Sequence, residues 1–172
     1  MAEGVEGARQ QASAHLDRDL STFYFVRHAK AGSRSHWTGD DRKRPLSPKG
    51  EKQAARLVDQ FNKVAVTAIH SSPYLRCVQT VEPLARARKL AVQPSRDLQE
   101  GRGIAGLYVF FNNPDLDDVV LSTHGDLMWE LVEDLTKRRV LPAFREQFDK
   151  GSTWVVEVED GAPVTARYIP AP

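Results

Sequence analysis

"FYFVRHAKAG", residues 23–32, decides how the chain is read. Phe23, Tyr24, Phe25 and Val26 are aromatic or β-branched and predict a buried strand. Arg27 and His28 then stand side by side where that strand ends. Charge-bearing side chains at the mouth of a core imply a ligand crevice, because in open α/β sheets ligands bind beyond the carboxyl ends of the strands.

Outward from this strand the periodicity alternates. A polar stretch, "AGSRSHWTGDDRKRPL", precedes Ser47 and Pro48, which read as a helix N-cap and first helical residue. Ala54, Leu57, Val58 and Phe61 then recur at helical spacing. "VAVTAIHSS" (64–72) predicts the next strand, and Ser72 and Pro73 a second helix start, with an apolar stripe at Cys77, Val78, Val81, Leu84 and Ala85. A short strand is expected in "KLAVQPSRDL" (89–98), and an excursion with a small helical or apolar patch in "GRGIAGLYVFFNNPDLD" (101–117). "DVVLSTHG" (118–125) predicts a buried strand and "DLMWELVEDLTKR" (126–138) a helix with Leu127, Leu131, Val132 and Leu135 inward. Two final strands, "TWVVEVEDG" and "VTARYIP", flank a turn at Asp160–Pro163. Strands alternating with helices predict a three-layer α/β/α sandwich whose mostly parallel sheet is made mixed by the last hairpin.

The whole chain sets limits. With 172 residues and 41% hydrophobic content, one domain over 21–172 is expected behind a polar, flexible leader at 1–20. Lys and Arg number 24 against 23 Asp and Glu, so the net charge of +1 predicts neither nucleic-acid polymers nor membranes as partners. Any anion selectivity must come from local placement. The one cysteine, Cys77, rules out an internal disulfide framework. It fits a reducing compartment, and with no secretory or membrane-spanning signal a cytoplasmic location is expected.

Three strand ends bring chemistry to one crevice: Arg27 and His28, then His70, Ser71 and Ser72, then His124. Arg76 falls in the first turn of the second helix, and Gly125 and Asp126 open a later one. Helix N-termini there favour an anion. Two arginines, two histidines and two helix starts predict a phosphate site.

On these residues the chain resembles the histidine phosphatase, or phosphoglycerate-mutase-like, superfamily. The resemblance rests on "VRHA" (26–29), "LSPKG" (46–50), "SSPYLRCVQT" (71–80), "LQEG" (98–101) and "STHG" (122–125), taken in order. It points to the small SixA-like branch, and "VRHAKAGSRSHWTGDDRKRPLSPKG" is similar to the phosphatase domain of mycobacterial MutT1-type proteins. The resemblance implies His28 as nucleophile, Arg27, Arg76, His124 and Gly125 around the phosphate, and Glu100 as proton donor. It also implies metal-independent phosphomonoester hydrolysis through phosphohistidine, with no cofactor.

The expected substrate is a small phosphate ester, with nucleotides among the candidates. A phosphohistidine protein and a non-catalytic phosphate-binding or scaffolding role are the alternatives. Arg34 stands where the larger sugar-phosphate mutases carry an asparagine, which lowers the prospect of mutase activity and makes Lys30, Ser33 and Arg34 candidate substrate contacts. Trp37 is a candidate for stacking on a base. "DDRKR" (40–44) reads as either a charged surface loop or a cationic rim. His36 and His70 are read as structural and Cys77 as core. No metal-ligand pattern is present, so no metal is expected.

Overall fold

The computed structural model describes residues 19–172. Of the expected leader, residues 1–18 lie outside the described residues. Its last residue, Leu20, begins strand β1 (Leu20–Arg27).

The other strands are β2 (Ala68–Ser71), β3 (Val92–Pro94), β4 (Val119–Thr123), β5 (Thr153–Glu159) and β6 (Ala162–Ile169). They form one sheet in the order β3-β2-β4-β1-β5-β6. β3, β2, β4 and β1 run parallel, whereas β5 is antiparallel to both β1 and β6. Four helices of the described residues cover it: α1 (Pro48–Gln60), α2 (Leu75–Arg88), α3 (Ile104–Phe111) and α4 (Gly125–Lys137). The mixed sheet is therefore the one expected.

Alternation along β1 explains the layers. Phe23 and Phe25 pack with Leu107 and Phe111 of α3 and Leu127 and Leu131 of α4. Tyr24 and Val26 point the other way, to Leu57 and Phe61 by α1 and Val81 and Leu84 of α2. Successive side chains of a strand face opposite sides, so a central strand with helices on both faces must be apolar throughout. That is why "FYFV" carries no charged residue.

Register fixes the crevice. Arg27 pairs with Thr123 and Ser71 with Ser122, so β1, β4 and β2 end level with one another. His28 N–H donates to the Thr123 carbonyl (2.9 Å) and Ser72 N–H to the Ser122 carbonyl (2.9 Å), which carries the alignment one residue beyond the strands.

"LSPKG" anchors α1 to the loop after His28. Ser47 N–H and Oγ both donate to the Lys30 carbonyl (2.9 and 3.1 Å), and Ser47 Oγ accepts from Gly50 N–H (3.2 Å). A Cβ at Gly50 would lie 1.9 Å from that carbonyl oxygen, so only glycine permits this approach.

Three local expectations are corrected. The second strand begins at Ala68, not at residue 64, because pairing with β4 starts with Ala68 opposite Val119. The second helix begins at Leu75 behind Tyr74, which makes no side-chain cap. Ser72 lies two residues before that N-cap, where its Oγ meets His124 Nε2 (2.8 Å) and accepts from Tyr74 N–H (3.4 Å). The last turn is two residues, Asp160 and Gly161, both at positive φ (50° and 78°), and Pro163 sits in β6 opposite Val158 at a register shift. β6 is an edge strand, where proline's missing N–H is tolerated.

Candidate active site

β1 delivers His28 to the level where β4 and β2 also end. Its ring is buried (6% exposed), with Nδ1 2.8 Å from the Ala29 carbonyl oxygen. A carbonyl can only accept, so Nδ1 carries the proton. Burial pushes the imidazole pKa down to about 3; the Ala29 hydrogen bond opposes the shift, while the charges of Arg76, Arg27 and Lys150 add to it. A neutral ring protonated on Nδ1 leaves Nε2 as a lone-pair donor.

His124 closes the back of the site. Its ring centroid lies 5.6 Å from that of His28, and Tyr74 packs edge-on at 4.6 Å. Nε2 meets Ser72 Oγ at 2.8 Å, and Nδ1 lies 3.4 Å from Glu100 Oε1. Burial, then the neighbouring His28 and Arg76, hold this imidazole far below its ordinary pKa, at about 2. Cys77 is fully buried beside it, and burial pushes the thiol up to about 12, so it is core rather than nucleophile.

Arg76, from the first turn of α2, is completely buried. Its Nη1 donates to the Asp41 carbonyl (2.9 Å), and Nη2 meets Glu100 Oε1 (3.0 Å) and Asp41 Oδ2 (3.2 Å). Arg34 Nη2 reaches the same Glu100 oxygen at 3.1 Å. Arg34, Arg76 and His124 thus converge on Glu100 Oε1. The carboxylate oxygen occupies a place built for an anion.

Arg27 approaches from the other side. Its Nη1 donates to the Phe148 carbonyl (2.8 Å), and its guanidinium lies against the start of α4. A Cβ at Gly125 would stand 2.7 Å from Arg27 Nη2, so glycine makes room for the cation. Arg27 Nε and Arg76 Nε are both buried without a hydrogen-bond partner. An unsatisfied buried donor costs about 1–3 kcal/mol, a cost that an arriving oxyanion can remove. Together with the free N–H groups at the start of α4, these groups can hold a phosphate.

The open pocket has a volume of about 480 Å³ and is lined by Arg27, His28, Arg34, Glu100, Gly125, Asp126, Trp129 and Phe148. Arg76 and His124 lie behind Glu100 rather than in this lining. Of the expected substrate contacts, Arg34 lines this pocket, whereas Lys30, Ser33 and Trp37 do not. Ser33 Oγ is hydrogen-bonded to Ser35 Oγ, and Trp37 Nε1 donates to the Asp40 carbonyl, so the indole anchors its own loop.

The 40–44 loop is neither plain surface nor a simple cationic rim. Arg44 is buried, donating to Asp41 Oδ1 (2.8 Å) and to the Gly32 carbonyl (2.5 Å). Burial would raise the Asp41 carboxyl, but the Arg44 hydrogen bond and the charges of Arg76, Arg44 and Arg34 outweigh it and hold it below the usual range. Sequence reasoning missed Asp41 as an anchor for Arg76, and missed Trp129, Phe148 and Lys150. Burial and the charges of Arg27, Arg44, Lys30 and Arg34 hold the Lys150 ammonium below its ordinary range, a sign of how electropositive this rim is. Among the described residues no cluster of three His, Cys, Asp or Glu side chains could hold a metal ion, and no helix is long and apolar enough to cross a membrane.

Residues 23–106 match the model of the histidine phosphatase superfamily (branch 1). An 8-oxo-(d)GTP phosphatase of Mycolicibacterium smegmatis is 34% identical over 161 residues, covering 90% of this chain and 49% of that protein. The chain thus spans about half the length of this curated relative. The protein histidine phosphatase SixA, solved with tungstate, superposes with a TM-score of 0.69 at 18% identity, covering 86% of this chain and 94% of the other. A phosphoglycerate mutase from Bacillus anthracis str. Sterne gives 0.67 at 16% identity, covering 89% and 94%. At these identities the two structures show a shared phosphoglycerate-mutase-like fold.

Proposed function

We propose that this chain, whose residues 23–106 match the model of the histidine phosphatase superfamily and which is 34% identical to the mycobacterial phosphatase, is a metal-independent phosphomonoesterase working through phosphohistidine. The proposed substrate is a small phosphate ester, with a nucleotide favoured by the name of the mycobacterial relative. The observation that carries the reading is His28: neutral, fixed through Nδ1 to Ala29, and lining the same pocket as Arg27. Its Nε2 attacks phosphorus, the ester P–O bond breaks, and water then cleaves the P–N bond to release phosphate. Arg27, Arg76, His124 and the α4 N-terminus hold the phosphoryl oxygens as charge shifts among them.

Glu100 is assigned the proton transfer. Its ion pairs with Arg34, Arg76 and His124 run through Oε1, and Oε2 is assigned to serve the leaving group. An incoming phosphate must displace Oε1 from the guanidiniums it shares. Glu100→Gln is therefore expected to act in two directions. It slows an alkyl phosphate or nucleoside monophosphate by about 10²–10⁴-fold, the usual worth of general acid help, while barely slowing nitrophenyl phosphate. It also tightens binding of inorganic phosphate, since a competing negative charge is gone. Equal losses on activated and unactivated esters would remove Glu100 from the acid role.

Gly125→Ala tests the clamp. The added methyl group meets the flexible end of Arg27 rather than backbone, so the fold should survive while the guanidinium shifts. Vanadate affinity should fall about ten-fold, the scale of one charge-assisted hydrogen bond. Unchanged affinity would place Arg27 outside the clamp.

The function itself is tested by assaying phosphomonoesters, nucleotides and a phosphohistidine protein with chelator present. Hydrolysis of small esters that survives the chelator is the expected result. Activity on the phosphoprotein alone would overturn the substrate reading.

A further inference from the structure

We propose that Trp129 is the platform on which the base of a nucleoside 5′-phosphate stacks. This rests on the phosphatase reading above and gives it a substrate class.

Trp129 is at odds with its helix. Leu127, Met128, Leu131, Val132 and Leu135 of α4 are fully buried, whereas the Trp129 indole is 41% exposed and lines the His28 pocket. Core packing does not explain it. Position along the helix does. Gly125, where the phosphate is held, and Trp129 are four residues apart, hence on one face and about 6 Å apart along the axis. A ribose bridges such a gap between a phosphate and a planar ring. The pocket's volume of about 480 Å³ falls in the range of small-ligand sites.

The aromatic wall is tied to the phosphate cations. Phe148 lines the same pocket, and its carbonyl accepts from Arg27 Nη1 at 2.8 Å. Phe144 packs on Trp129 with centroids 5.6 Å apart and planes tilted by 58°, which braces the indole without a stacked ring in the place of a base. An anion clamp beside a braced, exposed indole suits a ligand that carries both a phosphate and a flat π-system. Trp37, the other exposed indole, is absent from this pocket.

The test uses the full chain and its Trp129→Ala, Trp129→Leu and Trp129→Phe variants. The readout is the kcat/KM ratio of a purine nucleoside 5′-monophosphate to ribose 5-phosphate, which carries no base. Stacking on an aromatic side chain predicts that Ala and Leu lower this ratio about ten-fold, through KM, and that Phe restores most of it. A second arm follows tryptophan emission while the nucleotide is titrated. Quenching in the parent chain that is lost in Trp129→Phe supports the platform even if no ester is turned over, so failure of the phosphatase reading is separable. An unchanged ratio together with unchanged quenching would overturn it. So would equal losses on both substrates, which would mark Trp129 as structural. Slower dephosphorylation of a phosphohistidine protein in Trp129→Leu, with the nucleotide KM unmoved, would overturn it in favour of protein docking.

Discussion

Replacing His28 with alanine should lower phosphomonoester hydrolysis on the order of 10⁴-fold or more while the protein remains folded. The size follows from the proposed role: with His28 as nucleophile, losing Nε2 leaves no covalent intermediate and only binding and charge stabilisation. Survival of the fold follows from position, because His28 lies beyond the end of β1 and its backbone N–H still reaches Thr123. The parent enzyme carries a further signature. A free imidazole loses its nucleophilic form below pH about 6.5, but burial, despite the Ala29 hydrogen bond, and the adjacent cations push His28 down to about 3. The neutral form therefore persists through pH 5, and the rate should show no His28 limb near 6.5. A folded His28→Ala protein with full activity would refute the assignment.

Arg76→Ala should cost on the order of 10²–10³-fold in rate and about 30-fold in phosphate or vanadate affinity, near 2 kcal/mol for lost charge-assisted hydrogen bonds. Arg76 is completely buried, yet its partners Asp41 and Glu100 keep 35% and 34% of their side-chain surface exposed. Water can therefore resolvate both carboxylates, and the fold is expected to survive a change that would be severe for a fully buried pair. Arg76→Lys restores the charge without the planar fork and should recover only part of the affinity. Vanadate binding unchanged in Arg76→Ala would show that Arg76 serves only to anchor Asp41 and Glu100.

The layered fold was legible because it is written in short-range patterns. "FYFV" and "VVLST" are apolar enough to be central strands, and Ser47, Pro48 and Gly50 spell out a helix start that docks on a carbonyl. The ends of β1, β2 and β4 then converge by topology alone, so Arg27, His28 and His124 could be placed from sequence. What depends on which partner a side chain chooses was not legible. Ser72 has the look of an N-cap, but its hydroxyl serves His124. Asp41 sits among charged neighbours in "DDRKR", and nothing local says that it folds back onto Arg76, 35 residues away. Trp129 belongs to an apolar helical run, and its turn toward the pocket emerges only when α4 is packed on the sheet. Trp37 shows the reverse: an exposed indole in a polar loop invites a binding role, and a single hydrogen bond to Asp40 keeps it local.

The central claim is covalent chemistry at His28, and the most direct measurement is to find the phosphoryl group. The enzyme is denatured under alkaline conditions during turnover of a good substrate, digested, and its peptides weighed. One phosphoryl group on the peptide holding His28, lost on brief acid treatment and absent from His28→Ala, is the expected result. Phosphate attached at another residue, or a turning-over enzyme that carries none, would contradict the account.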